Sequence, residues 1–186
     1  MEPDVTPLEM NRKLDYSDYA AIPDDGKRYE LLEGSLFVTP APSPIHQRVS
    51  KRLQRQLEDY FEARSLAEVF DAPIDVILTS HDVVQPDIIV VSRAEQISKR
   101  GIEGGPILAV EILSPSTRVH DRERKARRYA ALGVQHYWIV DPEAQCVEFY
   151  RAGSQGYELL CRIEGPATYA HPDWTGLTLD LGALWR

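Results

Sequence analysis

Cysteine is scarce in this sequence, and long apolar runs are missing. The two cysteines, Cys146 and Cys161, show no metal-ligand spacing, so a disulfide framework or a cysteine-based zinc cluster is not expected. Two reduced thiols in a cytoplasmic protein are the expected state. No apolar run approaches the roughly 18 residues of a membrane helix. The first residues also lack the basic start and apolar stretch of a secretory signal, so neither a membrane span nor secretion is expected.

Positive charge is also in short supply. The chain has 21 lysines and arginines against 29 aspartates and glutamates, a formal net charge of −8. This balance argues mildly against a nucleic-acid partner, although a binding face needs only local positive charge. Acidic residues gathered around a divalent cation would contribute to the same balance. The charge is therefore a warning against nucleic-acid binding and does not exclude it.

The order of predicted elements indicates a mixed α/β fold. We expect a flexible lead-in over residues 1–15 and one domain over 16–186, a length that buries a proper core. Helices before and after the central strands indicate a mixed β-sheet flanked by helices, with extra hairpins at both ends. Pattern and turn residues predict a hairpin over 28–38, helices over 43–64, 93–100 and 118–132, and strands over 66–70, 73–78, 86–92, 106–113, 134–140, 146–151 and 157–163.

Two carboxylates interrupt runs that resemble buried strands. Asp87 follows Pro86 and precedes Ile-Ile-Val-Val, and Glu111 lies within Leu-Ala-Val-Glu-Ile-Leu. A carboxylate in a buried strand is costly unless it is paired or bound to a cation. Two such carboxylates on adjacent strands would repel each other unless a positive charge lies between them. A divalent metal ion with oxygen ligands would supply that charge. The alternative is structural: one caps a loop and the other pairs with an arginine.

Lys125 is the candidate cation of this group. The predicted helix over 118–132 begins just after the Glu111 strand, so its first turns are expected near the end of that strand. Asp121 and Lys125 are four residues apart and share one helix face. A lysine there would hold a phosphate or orient a water molecule. An ordinary surface salt bridge between Asp121 and Lys125 is the alternative.

Several weaker candidates surround these three residues. Glu30 lies between apolar neighbours on the first hairpin arm, where it is either a third carboxylate of the site or a solvent-facing strand residue. His46 and Gln47, at the start of the long helix, are candidate contacts to phosphate or to the carboxylates. Arg122 and other arginines and lysines of the two long helices form a candidate phosphate-binding rim, or simply solvated helix faces.

The chain resembles the Uma-type restriction endonuclease family of the Pro-Asp-(Asp/Glu)-x-Lys nuclease superfamily. The likeness spans approximately residues 15–165 and depends on several motifs in the right order, not on the Pro-Asp pair alone. The motifs are Tyr29-Glu30-Leu31-Leu32-Glu33-Gly34, Pro44-Ile45-His46-Gln47-Arg48, Pro86-Asp87-Ile88-Ile89-Val90-Val91, Val110-Glu111-Ile112-Leu113-Ser114-Pro115-Ser116-Thr117, Asp121…Lys125…Tyr129 and Gly133-Val134-Gln135-His136-Tyr137-Trp138-Ile139-Val140-Asp141-Pro142.

The resemblance implies a magnesium-type site and phosphodiester hydrolysis. It makes Asp87 and Glu111 metal ligands and Glu30 the upstream acidic residue. The superfamily lysine would stand two residues after Glu111, where this chain has Leu113. In the family the lysine has moved to the following helix, which corresponds to Lys125.

The sequence therefore predicts a Mg²⁺-dependent DNA endonuclease, with Mn²⁺ as a possible substitute. Two alternatives stay open: a catalytically inactive binding or assembly protein that keeps the fold, and a hydrolase of RNA or another phosphodiester. A homodimer is expected, because double-strand cleavage needs two sites and most soluble oligomers are twofold.

Overall fold

A computed structural model describes residues 12–114 and 124–186 of the chain. The larger sheet has six strands in the order β11-β10-β9-β8-β6-β3, and the smaller has five in the order β2-β1-β5-β4-β7. The helices are α1 (Tyr16–Ala20), α2 (Pro44–Phe61), α3 (Ala126–Ala131) and α4 (Leu181–Leu184). The strands are β1 (Arg28–Leu32), β2 (Ser35–Thr39), β3 (Glu68–Asp71), β4 (Val76–Thr79), β5 (Asp82–Val84), β6 (Ile88–Val91), β7 (Ile102–Glu103), β8 (Leu108–Ile112), β9 (His136–Asp141), β10 (Cys146–Gly153), β11 (Gly156–Glu164), β12 (Thr168–Ala170) and β13 (Thr178–Asp180).

The larger sheet is mixed, as the sequence predicts. Strands β8 and β9 run parallel, whereas β6 pairs antiparallel with both β8 and β3. Strands β12 and β13 form a separate antiparallel hairpin. No helix among the described residues is both long enough and apolar enough to cross a membrane.

Alternation along β6 and β8 directs side chains into two different cores. Val90 and Val110 pack with the apolar stripe of α2 on one face of the larger sheet. Ile89 and Ala109 pack on the other face with Tyr129 of α3 and with residues of the smaller sheet. Because successive side chains on a strand point to opposite faces, this pattern fixes the face on which any inserted polar residue lies.

The hairpin predicted over 28–38 forms as β1 and β2, with a two-residue turn between them. Leu32 pairs with Ser35, and the two turn residues Glu33 and Gly34 have φ values of 53° and 78°. Positive φ at both positions is typical of the tight turns that match strand twist. The turn sets the register of β1 and thereby the position of Glu30.

Three local details differ from what the sequence suggests. Ser17 is the predicted cap of a short turn over 18–21, but Asp15 caps α1, since its side chain accepts bonds from the backbone N–H groups of Ser17 and Asp18. The helix expected over 93–100 is a single 3-10 turn, Ala94–Gln96, because the Gln96 side chain donates to carbonyls beside the short strand β7. Strand β5 was not predicted, because three residues are too few to show a period.

The lead-in predicted over 1–15 is held in place at its described end. The backbone N–H of Leu14 donates to the carbonyl of Gly34 at 3.0 Å. The Leu14 carbonyl lies 2.7 Å from Nδ1 of His81. The helix expected over 118–132 is described from residue 124 onward, where a π-helical turn leads into α3; its earlier part, with Asp121 and Arg122, lies outside the described residues.

Candidate functional site

A cleft between the two sheets brings the predicted residues together. It has a volume of about 540 Å³ and lies among the β1–β2 hairpin, the proline-rich segment 40–43, the first turn of α2 and the ends of β6 and β8. Glu30, Asp87, Glu111 and Lys125 all line it. All four are at least nine-tenths buried, so their charges act in surroundings of low polarity.

Asp87, directly before β6, has two polar partners. Its Oδ2 accepts the backbone N–H of Ile112 at 2.7 Å and lies 3.1 Å from Nε2 of His46. His46 reaches it because Ser43 caps α2 by accepting the His46 backbone N–H, which places the histidine in the first helical turn. The carboxylate is therefore oriented by a neighbouring strand and by a helix.

Glu111 lies on β8 and receives two donors from the α3 side. Its Oε1 accepts from Nζ of Lys125 at 3.0 Å and from the hydroxyl of Tyr129 at 2.8 Å. Burial, and then the charge of Glu111, raise the pKa of Tyr129 well above its ordinary value. The hydroxyl consequently stays protonated and serves as a permanent donor to Glu111.

Lys125 contacts two carboxylates at once. Its Nζ lies 3.0 Å from Oε1 of Glu111 and 3.0 Å from Oε1 of Glu30. The same Glu30 oxygen accepts the backbone N–H of Gln85 at 2.8 Å. Glu30 is thus buried beside the lysine, and the solvent-facing alternative for it was wrong.

Strand alternation places position 113 and Lys125 on the same side of Glu111. Position 113 lies on the same sheet face as Glu111, and Leu113 there packs in the core that includes Tyr129. Lys125 enters that face from α3, four residues before Tyr129, so both side chains reach Glu111 from one side of the helix. Leu113 thus packs in the core, and the amine beside Glu111 belongs to Lys125.

The donor set fits a divalent cation with oxygen ligands. Ile88 of β6 pairs with Val110 of the antiparallel strand β8. One residue further along this register, Asp87 lies opposite Glu111. When ionised, three carboxylates and one ammonium together carry two negative charges, which a divalent cation balances. Carboxylate oxygens are the ligands that Mg²⁺ prefers. Asp87 and Glu111 are the residues that would hold it.

The other predicted residues are distributed unevenly. Gln47 is exposed and lines a groove that continues the cleft past Asp87, together with Lys51 and Arg28. Arg52, in contrast, donates to the carbonyl of Leu184 at 3.1 Å and is tied to the C-terminal segment. The basic face of α2 therefore supplies one lysine to the groove and does not form a continuous rim there.

Sequence reasoning missed Gln85, Arg28 and the role of Tyr129. Gln85 bonds Glu30 through its backbone, and its side chain accepts from Nε of Arg28 at 3.2 Å. Its position directly before Pro86-Asp87 was the available signal. For Tyr129 the signal was its spacing of one helical turn from Lys125.

The fold and the site together define a mixed α/β protein with a strand-borne Asp and Glu and a helix-borne lysine. The Uma2 family model, described as "Putative restriction endonuclease", matches residues 16–182. The chain belongs to this family, which confirms the resemblance found in the sequence.

Two individual proteins are similar to the chain. The crystal structure titled "putative nuclease belonging to DUF820", from Anabaena variabilis, superposes with a TM-score of 0.75 at 22% identity over 92% of this chain and 97% of that one. This likeness confirms the fold. "Uncharacterized protein slr1290" from Synechocystis is 24% identical over 140 residues, which are 74% of this chain and 73% of the relative.

Proposed function

We propose that the protein is a metal-dependent endonuclease that hydrolyses DNA phosphodiester bonds. The observation that carries the proposal is the contact of Lys125 Nζ with Glu111 Oε1 at 3.0 Å, in the cleft that Asp87 also lines. An arrangement with two strand-borne carboxylates and a nearby ammonium supports the nuclease activity that the family description names.

The site's own residues have separable tasks in this mechanism. Asp87 and Glu111 would hold Mg²⁺, which would supply Lewis-acid polarisation of the scissile phosphate and acidify a water molecule. His46 and Tyr129 orient these two carboxylates. Lys125 positions or activates the attacking water, or stabilises charge that develops on the phosphate. Glu30 keeps the amine of Lys125 in place.

The groove beside Asp87 supports a nucleic-acid substrate. Arg28 and Lys51 line it and place positive charge next to the carboxylates, despite the overall charge of −8. Phosphate contacts of this kind position a strand without reading its sequence. We further propose a homodimer, in which two copies of the site would cut the two strands.

Plasmid cleavage with Mg²⁺ or Mn²⁺ tests the proposal. Asp87→Asn, Glu111→Gln and Lys125→Met should each abolish nicking, because each removes a ligand charge or the amine. Asp59→Asn, an exposed carboxylate on α2, is the matched control and should cleave normally. Equal cleavage by all four variants and the wild type would contradict the assignment.

A non-catalytic binding protein with the same fold is the alternative that the acidic net charge favours. Thermal melting with millimolar Mg²⁺ or Mn²⁺ distinguishes the two, because a ligand that binds the folded state raises the melting temperature. A nuclease should show a shift that disappears in Asp87→Asn. Absence of any shift in the wild type would favour the binding protein.

A further inference from the structure

A second cluster of ligand-bearing side chains lies on the opposite face of the larger sheet. His136, at the start of β9, shares the strand face of Trp138, which packs in the α2-side core. Glu111 pairs with Ile139, which packs in the core on the other face. Strand alternation therefore separates the cluster around His136 from the cleft that holds Glu111.

Three side chains meet in this cluster. One potential ligand atom each from His136, His171 and Asp173 lies within 4.8 Å of the other two. Nε2 of His136 is 3.8 Å from Oδ2 of Asp173. The two histidines are buried, whereas the Asp173 side chain is 29% exposed. The cluster is thus closed on the protein side and reachable from solvent at the carboxylate.

Both imidazoles are available as neutral ligands. Burial lowers the pKa of His136, and burial together with the nearby His136 lowers the pKa of His171 to about 4. The backbone N–H of Asp173 donates to Nδ1 of His171 at 3.2 Å, so that nitrogen carries its lone pair on the Asp173 side. This bond is at the long end of its range, and a metal ion bound at Nδ1 would replace it.

A purely structural role leaves part of this cluster unexplained. Nδ1 of His136 and Nε2 of His171 are buried and have no hydrogen-bond partner among the described residues. Buried polar atoms are usually paired, because an unpaired one costs about 1–3 kcal/mol. The His171 ring centroid lies 4.3 Å from that of Trp174. A phenylalanine at position 171 would stack on Trp174 equally well and would carry no unpaired nitrogen. Ligand chemistry at the other ring nitrogens gives the histidines a reason to be there.

We propose that His136, His171 and Asp173 bind a divalent transition-metal ion of the Zn²⁺ type. Two imidazoles and one carboxylate are a ligand set that Zn²⁺ takes in proteins, with a fourth position left open to water. Ligands about 2.0–2.1 Å from a tetrahedral ion are about 3.3 Å apart. The ligand atoms lie within 4.8 Å of one another, so they close by at most about 1.5 Å when the ion binds.

The neighbouring arginine leaves one carboxylate oxygen for the ion. Nη1 of Arg151 lies 3.0 Å from Oδ1 of Asp173, whereas Oδ2 is the atom nearer to His136. Arg151 thus orients the carboxylate as outer-shell partners of metal ligands do. The bound ion would join the β12–β13 hairpin segment, which carries His171 and Asp173 near its turn, to β9 of the central sheet.

Metal binding is measured directly, without reference to cleavage. Metal-stripped protein is titrated with Zn²⁺ by calorimetry and with Co²⁺ by visible absorption, in an Asp87→Asn background that removes the cleft as a competing site. We expect one equivalent of Zn²⁺ and a low-symmetry Co²⁺ spectrum without a thiolate charge-transfer band. A spectrum of hydrated octahedral Co²⁺, or a thiolate band from Cys146 or Cys161, would overturn the proposal.

Three variants locate the ion. Asp173→Asn should weaken Zn²⁺ binding at least about tenfold, and His171→Phe should abolish it while keeping the stack on Trp174. Arg151→Ala, which removes an outer-shell partner but no ligand, should keep one equivalent of Zn²⁺ with a smaller loss of affinity than Asp173→Asn. Melting without metal verifies that each variant folds. Wild-type affinity in both Asp173→Asn and His171→Phe would show that the cluster is structural.

Discussion

Lys125 has two separable tasks at the scale of single residues: it balances the charge of two buried carboxylates and it offers an amine to the substrate. Its Nζ is 3.0 Å from both Glu30 and Glu111, so a simple truncation changes both tasks. A variant that restores only the charge balance separates them.

Lys125→Met should cost about 3–5 kcal/mol of unfolding free energy, the usual result of removing one partner of a buried ion pair. Glu30→Gln combined with Lys125→Met removes one charge of each sign and should recover most of this loss, because the glutamine oxygen still accepts from Gln85. Urea unfolding measures stability, and cleavage should stay absent in both variants. Cleavage by the double variant would mean that the lysine acts only through charge balance.

The strand position offers a direct test of the relocated lysine. Position 113 shares a sheet face with Glu111, so Leu113→Lys in the Lys125→Met background should return an amine to the site. We expect partial recovery of cleavage, because Leu113 is 5% exposed and a lysine there disturbs the core. Leu113→Met in the same background is the matched control and should stay inactive.

At the scale of elements, α3 is the part that assembles the site. It is anchored to the smaller sheet by Arg128, whose Nε donates to Oδ1 of Asp82 at 3.0 Å. Asp82 also accepts from the backbone of Glu33 and from the hydroxyl of Thr79. This ion pair lies one turn after Lys125 and therefore holds the helix where the lysine reaches Glu111.

Arg128→Ala should destabilise the protein by about 2–3 kcal/mol at pH 7, less than a fully buried pair would give because Arg128 is 27% exposed. Burial alone would raise the pKa of Asp82, but the hydrogen bonds from Arg128, Glu33 and Thr79 outweigh it and hold that pKa below its ordinary value. Because the pKa of Asp82 is lower in the folded protein, ionised Asp82 contributes its full stabilisation above the unfolded pKa of about 4. That stabilisation is lost as the pH falls through the folded pKa.

The difference between wild type and Arg128→Ala should accordingly shrink as pH drops below about 4. Urea unfolding at pH 7, 5 and 3.5 measures it, with Lys27→Ala, half of an exposed pair with Asp25, as the control that should match the wild type at each pH. A difference that stays constant with pH would assign the loss to packing.

Elements with a clear period were predictable, and short ones were not. Helix α2 and strands β6 and β8 are long and apolar enough for their patterns to show, and all were predicted within a few residues. Strand β5 pairs with the distant strand β1 through Leu31 and Val83, and the 3-10 turn at Ala94–Gln96 depends on the single buried side chain of Gln96. The residues that flank these elements in sequence do not predict such contacts.

At the scale of the whole molecule, an acidic protein is proposed to bind a polyanion. The net charge of −8 repels DNA at a distance, whereas Arg28 and Lys51 attract it locally. Binding should therefore be weak and sensitive to salt.

In an Asp87→Asn background that binds without cutting, Arg28→Ala and Lys51→Ala should each weaken duplex binding. Each should also reduce the slope of log affinity against log salt by about 1, the effect of one lost phosphate contact. Fluorescence anisotropy across a salt series measures this, with Arg162→Ala on β11 as the control. An unchanged slope in both variants would move the DNA path away from this groove.

The sequence by itself determined the fold class, the two strand-borne carboxylates and the lysine that accompanies them, because buried strands and unusual charges within them are local patterns. The tertiary structure alone decided that Glu30 is buried against Lys125, that Tyr129 and His46 contact the carboxylates, and that Arg128 pairs with Asp82. It also brought His136 together with His171 and Asp173, thirty-five and more residues apart in sequence. Contacts across such separations depend on how sheets and helices pack, which no local pattern encodes.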